Sequence, residues 1–232
     1  MSELRVFGVE GIGEVAPGDD LAGMITAAID AQGERIVDSD IVVITHKVVS
    51  KQEGRVVEIL DEDAYRALVL DEASAIVRRR GDLVIAKTRH GFICANAAVD
   101  RSNVATGFAI LLPLDPDRSA HRLRTLIERA TGSSVGVIIT DTFGRPWRRG
   151  LVDVAIGVSG LPSVVDLRGT TDTFGNVLNV TEVAVVDEIA AAADLVMGKA
   201  TAIPVAILRG LDLEGSGRAT DLVRPPDEDL FR

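Results

Sequence analysis

Two aspartates, a threonine and a set of cations carry most of the chemistry that this sequence can support. "VDRSNV" holds Asp100 and Asn103, and "TDTFGRPWRRG" opens on Asp141 and Thr142 directly after the apolar run "SSVGVIIT". "THKVVSKQEG" sets Lys47 and Lys51 on either side of Ser50. Carboxylate and hydroxyl oxygens without nearby sulfur suit Mg²⁺ or Mn²⁺, which keep several waters and share ligands with substrate phosphates. Two such ions fit in-line attack on a phosphoryl group, where charge builds on both sides. Arg145, Arg148 and Arg149 follow Asp141 closely, together with the only tryptophan, Trp147. Their planar forks suit carboxylate or phosphate, although arginines in a solvated turn also cap neighbouring carbonyls. Asp100 and Asp141 are distant in sequence, and spacing alone does not bring them together.

The elements that must position these residues alternate along the chain. "LRVFGV" (4–9), "DIVVITHKVVS" (40–50), "DLVIAK" (82–87), "FAILLPL" (108–114), "VGVIIT" (135–140), "PSVVDL" (162–167) and "IPVAIL" (203–208) read as strands. Helical patterns cover 19–32, 61–81, 115–132 and 186–199. The 61–81 segment opens acidic, closes on three arginines and stops at Gly81, in keeping with the helix dipole and a glycine stop. The expected class is mixed α and β (α+β). Residues 1–232 are enough for one large domain, with room for two intertwined subdomains.

Composition removes several function classes. Hydrophobic residues make up 47% and charged residues 26%, which marks a globular chain. A net charge of −10 and 3% aromatics argue against nucleic-acid binding, which needs a basic surface and stacking rings. The apolar runs fall far short of the ~20 residues that span a bilayer. The amino terminus shows no secretory pattern, so a cytoplasmic location is expected. The single cysteine, Cys94, rules out an internal disulfide and a cysteine-ligated zinc. "GIGEVA" (11–16) mimics a dinucleotide fingerprint, but Pro17 and Gly18 intervene before the helix, and the second strand ends basic where an NAD site wants an acid. No phosphate-loop or nucleophile-elbow motif occurs, and His46, His90 and His121 lie in three separate segments.

The segments "GIGEVAPGDDL", "ITHKVVSKQEGRVV", "AAVDRSNV", "ITDTFGRPWRRGLVDVAIGVSGL" and "VTEVAVVDEIAAAADLVMGKATAIPVAILRG" together resemble the coenzyme F420:L-glutamate ligase family, in order from about residue 7 to residue 211. The resemblance implies GTP-dependent addition of L-glutamate, through γ-linkages, to coenzyme F420-0 and its glutamylated products by way of an acyl phosphate. It implies Asp100, Asp141 and Thr142 as ligands of two divalent ions, Mg²⁺ or Mn²⁺, with a monovalent cation such as K⁺ as a further expectation. It sets the nucleotide against Ile12, Gly13, Glu14, Val15, His46, Lys51 and Asn103, and near Met197, Gly198 and Lys199. Arg145 and Arg148 become candidates for gripping anionic substrates. The chain departs from the pattern at His46, where relatives often carry a small hydroxyl residue, and at Lys199, where some archaeal members offer an amide ligand. A homodimer is also implied. The nitroreductase-like domain of longer relatives would begin near "PPDEDLFR" and is not expected within these 232 residues. The rival reading is a two-metal phosphohydrolase using the same aspartates, and a noncatalytic nucleotide-binding regulator is the third.

Overall fold

The computed structural model describes residues 3–229. The first half of the chain gives β1 (Arg5–Val9), α1 (Leu21–Ala31), β2 (Ile41–Thr45), α2 (His46–Gln52), β3 (Val56–Glu58), α3 (Glu62–Glu72), β4 (Ala73–Arg80), β5 (Leu83–Thr88), β6 (Ile93–Ala95) and β7 (Phe108–Ile110). The second half gives α4 (Pro116–Thr131), β8 (Gly136–Arg145), β9 (Arg148–Ser159), β10 (Val165–Asp166), β11 (Glu182–Val183), α5 (Val185–Met197) and β12 (Val205–Arg209). The class is mixed α and β, as the alternating patterns predict. No helix among the described residues is long and apolar enough to cross a membrane.

The main sheet runs β1-β12-β2-β8-β9. Only the β2–β8 pair is parallel; the other pairs are antiparallel. β2, "IVVIT", is buried at its first four positions, so both faces of the sheet centre are covered, as a continuous apolar run requires. α4 packs on β8 and β9, α5 packs on β1, β9 and β12, and α1 packs on α4. A second, smaller core joins Val69 of α3 and Ala86 of β5 to Ala97, Val99, Ala109 and Leu111. Asp40, fully buried, takes a two-pronged pair from Arg209 at 2.7 and 2.8 Å, which ties the end of β12 to the entry of β2. β9 is an edge strand. Its Val158 amide donates to Asp117 of α4 at 2.9 Å and its Ala155 amide to Asp187 of α5 at 2.8 Å. Those bonds satisfy backbone groups that would otherwise template another strand.

Several sequence expectations need correction. The 40–50 run is a strand only to Thr45; α2 begins at His46, because a short apolar run does not separate strand from helix by period. The 61–81 segment is helical only to Glu72. From Ala73 it pairs antiparallel with β5, and Gly81 (φ 59°) turns a hairpin instead of stopping a helix. The three arginines therefore lie on an exposed strand. Residues 140–150 form a β-hairpin, β8 to β9, rather than a loop. The 162–167 strand shrinks to Val165–Asp166. β1 is an antiparallel edge strand followed by a loop up to α1, an arrangement unlike a dinucleotide-binding βαβ unit.

Candidate active site

A cavity of about 790 Å³ opens where the β1–α1 loop, α2, the 103–105 turn, the β8–β9 hairpin and the segment after α5 meet. Its lining includes Ile12, Gly13 and Glu14 from the first loop, Lys47 and Lys51 from α2, Asn103, Thr142, and Met197, Gly198 and Lys199. The identity of α2 as a helix matters here. Residues four apart share a helix face, so Lys47 and Lys51 turn to the cavity while His46 and Ser50 turn to the core.

The polar groups divide into two sets. Neighbouring residues of a strand point to opposite faces, and Asp141 and Thr142 do so. Asp141 is buried, with its Oδ1 3.3 Å from His46 Nε2; the His46 Nδ1 in turn lies 3.3 Å from Ser50 Oγ. On the cavity side of α2, Lys47 pairs with Asp100 at 2.8 Å; neither Asp100 nor Asp141 is itself among the lining residues. Burial pushes the Asp100 carboxyl up, but the Lys47 ammonium and the Ser102 amide and hydroxyl outweigh it and hold the group below its ordinary value. Thr142 instead faces the cavity beside Asp153, its cross-strand partner. Thr142 Oγ1 donates to Asp153 Oδ1 at 2.6 Å, and Thr140 Oγ1 donates to Asp153 Oδ2 at 3.1 Å. The Lys199 ammonium reaches Thr142 Oγ1, Asp153 Oδ1 at 2.8 Å and Asp194 Oδ1 at 3.1 Å. Burial works against its charge, but the two carboxylates raise it above the ordinary lysine value.

Not every expected residue reaches the cavity. Val15 is buried in the main core and anchors the first loop from beneath. His46 is fully buried and touches Asp141 rather than open space. Arg145 and Arg148 are absent from the lining; the Arg145 Nη2 donates to the Arg149 carbonyl at 2.8 Å, a bond internal to the hairpin. Lys51 pairs with Glu14, whose side chain is largely exposed, so the cation bridges the loop to α2 at the cavity mouth. Sequence reasoning missed Asp153 and Asp194. The signal for Asp153 was available: one acid inside the apolar strand "LVDVAIGV" must find partners or remain unburied.

Asp100 and Asp141 fit a hard divalent ion by donor chemistry, since both offer carboxylate oxygen; Asp100 meets the Lys47 ammonium and Asp141 the His46 ring, contacts that a metal could replace. Among the described residues, no three His, Cys, Asp or Glu side chains gather as a metal site. The Thr142 hydroxyl is already committed to Asp153 and Lys199.

Comparison with known proteins identifies the family. A profile of the F420-0:gamma-glutamyl ligase family matches residues 11–210. The chain is 43% identical to the coenzyme F420:L-glutamate ligase of Methanothermobacter thermautotrophicus, over 99% of both chains. It is 45% identical to that of Methanocaldococcus jannaschii, over 85% of this chain and 86% of the other. The same ligase of Methanopyrus kandleri is 43% identical over 94% of each. On the matched profile and on relatives that it spans nearly end to end, the chain belongs to the F420-0:gamma-glutamyl ligase family.

Proposed function

We propose that this chain ligates L-glutamate to coenzyme F420-0 and then to its glutamylated product, consuming GTP. The observation that carries the reading is the cavity itself, which gathers the first loop, Lys51, Asn103 and residues 197–199 from four distant parts of a family member's chain. A carboxylate does not condense with an amine at neutral pH, because its oxygen leaves poorly. The carboxylate oxygen attacks the γ-phosphorus of GTP, the bond to the β-phosphate oxygen breaks, and GDP departs from an acyl phosphate. The glutamate amine then attacks the acyl carbon, phosphate leaves with the electron pair, and the amine gives up a proton.

The protein's share of this chemistry is positioning and charge. Lys51 and Lys47 bring ammonium groups to the phosphate side of the cavity. The backbone of residues 12–14 offers amides along one wall, and Asn103, held at φ 54° beside the Asp100 turn, adds an amide side chain. Asp100 and Asp141 would hold Mg²⁺ or Mn²⁺, which when bound offsets the charge that builds on transferring phosphoryl oxygens. A homodimer would cover exposed apolar side chains such as Trp147, Leu151 and Phe174.

Mass spectrometry of coenzyme F420-0 after incubation with GTP, glutamate and Mn²⁺ tests the reading. Added glutamyl residues, with GDP released only when both acceptors are present, support it. Phosphate release without either acceptor would favour a hydrolase instead.

A further inference from the structure

Three oxygens of the kind that hard metal ions take converge on Lys199, and its ammonium sits among them. Thr142 Oγ1 on β8, Asp153 Oδ1 on β9 and Asp194 Oδ1 in the last turn of α5 all contact the ammonium, the two carboxylates at 2.8 and 3.1 Å. Two strands and a helix hold the three oxygens, so the nest is rigid. An ammonium has three N–H donors, and three oxygens satisfy them all. Lys199 therefore has no donor left to aim at a phosphate, unlike Lys51, whose ammonium meets an exposed glutamate and, among the described residues, no second oxygen in its salt bridges.

The backbone explains how the side chain gets there. α5 ends at Met197, and Gly198 turns with φ 59°, a conformation that favours glycine. That turn folds Lys199 back over Asp194 of the preceding helical turn. The nest carries two negative charges from Asp153 and Asp194, and the lysine supplies one positive charge from within the chain. A tethered ammonium acts at high effective concentration, so it competes well with a dissolved cation.

We infer that Lys199 is a built-in cation that occupies the Thr142–Asp153–Asp194 nest and keeps divalent metal out of it. Metal loading is then left to Asp100 and Asp141, and this chain takes up one ion fewer than its oxygen donors allow. The inference deepens the metal-dependent reading above and rests on it for its catalytic meaning, though not for its test.

The test counts bound Mn²⁺. The full chain is titrated with Mn²⁺ alone and free ion is followed by electron paramagnetic resonance, for wild type, Lys199→Ala and Lys199→Met. The methionine keeps an unbranched stem without charge, and both variants are checked for an intact thermal transition; Lys199 is about half exposed on its turn (54%), so neither change disturbs the core. Each variant should bind one more Mn²⁺ per chain than wild type. Adding Thr142→Val to Lys199→Ala should remove that extra ion, which locates it in the nest. Equal counts in wild type and both variants would overturn the inference, and so would an extra ion that survives Thr142→Val. Failure to ligate glutamate would sink the functional reading and leave this count untouched.

Discussion

Asp153 is the residue whose loss the structure prices most directly. The residue is 3% exposed, and its carboxylate accepts from Thr140 at 3.1 Å, Thr142 at 2.6 Å and Lys199 at 2.8 Å. Asp153→Ala strips all three donors at once. Thr140 is fully buried, and leaving its hydroxyl without a partner costs about 1–3 kcal/mol. Thr142 is partly exposed and can turn toward water, so its loss is about 1 kcal/mol. Lys199 is half exposed and keeps Asp194, which leaves at most about 0.5–1 kcal/mol for its contact with Asp153. Together these come to roughly 2.5–5 kcal/mol, or a fall in Tm of about 5–20 °C for a chain of this size. Asp153→Asn should cost only about 1–2 kcal/mol. Its remaining oxygen still accepts from Thr142, and the Thr140 hydroxyl can rotate to accept from the new amide. Urea unfolding of the three proteins at pH 7, followed by circular dichroism, measures both steps. An alanine variant within about 0.5 kcal/mol of wild type would refute the hydrogen-bond reasoning, and so would an asparagine variant as unstable as the alanine one.

Asp141→Asn should keep the fold and lower ligation by several kcal/mol in the transition state, because the amide lacks the charge that holds a metal; near wild-type turnover at limiting metal would remove Asp141 from the ligand set. Lys51→Ala should weaken a non-hydrolysable GTP analogue by about tenfold in calorimetry, roughly 1.4 kcal/mol, while glutamate affinity stays the same. Unchanged nucleotide affinity would return Lys51 to the class of solvated lysines. His90 gives a pH signature. Burial pushes its imidazole below the ordinary value of 6.5, ahead of the opposing Pro113 and Leu114 carbonyls, which its Nε2 meets at 2.9 and 3.2 Å; Arg89 lowers it further and Glu72 raises it. A depressed folded value means that the unfolded chain binds the proton first, so the stabilisation is complete above 6.5 and fades as pH falls below it. His90→Gln should flatten that part of the stability curve, and identical acid limbs in both proteins would refute the assignment.

Candidates for the site were legible because they stand out chemically: Asp100, Asp141, Thr142, Lys51 and Asn103 are oxygen donors or cations, and three of them, Thr142, Lys51 and Asn103, line the cavity. Their grouping was not legible. Asp141 and Thr142 are adjacent in sequence, and only the alternation of β8 sends them to different faces, one to His46 and the other to Lys199. The 61–81 segment misled for a different reason. "AIVRRR" can close a helix on its dipole, but pairing with β5 decides the matter, and no local signal carries that long-range information. For the arginine segment the sequence left two readings, a grip on anionic substrates and caps on neighbouring carbonyls; in the hairpin, Arg145 caps the Arg149 carbonyl.

The order of the main sheet has a consequence for how the protein is made. β12 lies between β1 and β2, so among the described residues Arg5–Val9 pairs with Val205–Arg209, the last of their strands in chain order. At about 5–20 residues per second, β1 waits on the order of 10–40 s for its partner, with β2 carrying an open edge over the same interval. The long separation between partners also predicts slow closure once both are present. During that wait "RVFGV" lacks its neighbour and "IVVIT", paired with β8 on one side, keeps its other edge open, the kind of segment that a holding chaperone binds. A nascent chain stalled before residue 205 should therefore remain protease-sensitive through β1 and β2, and release of the last strand should protect both together.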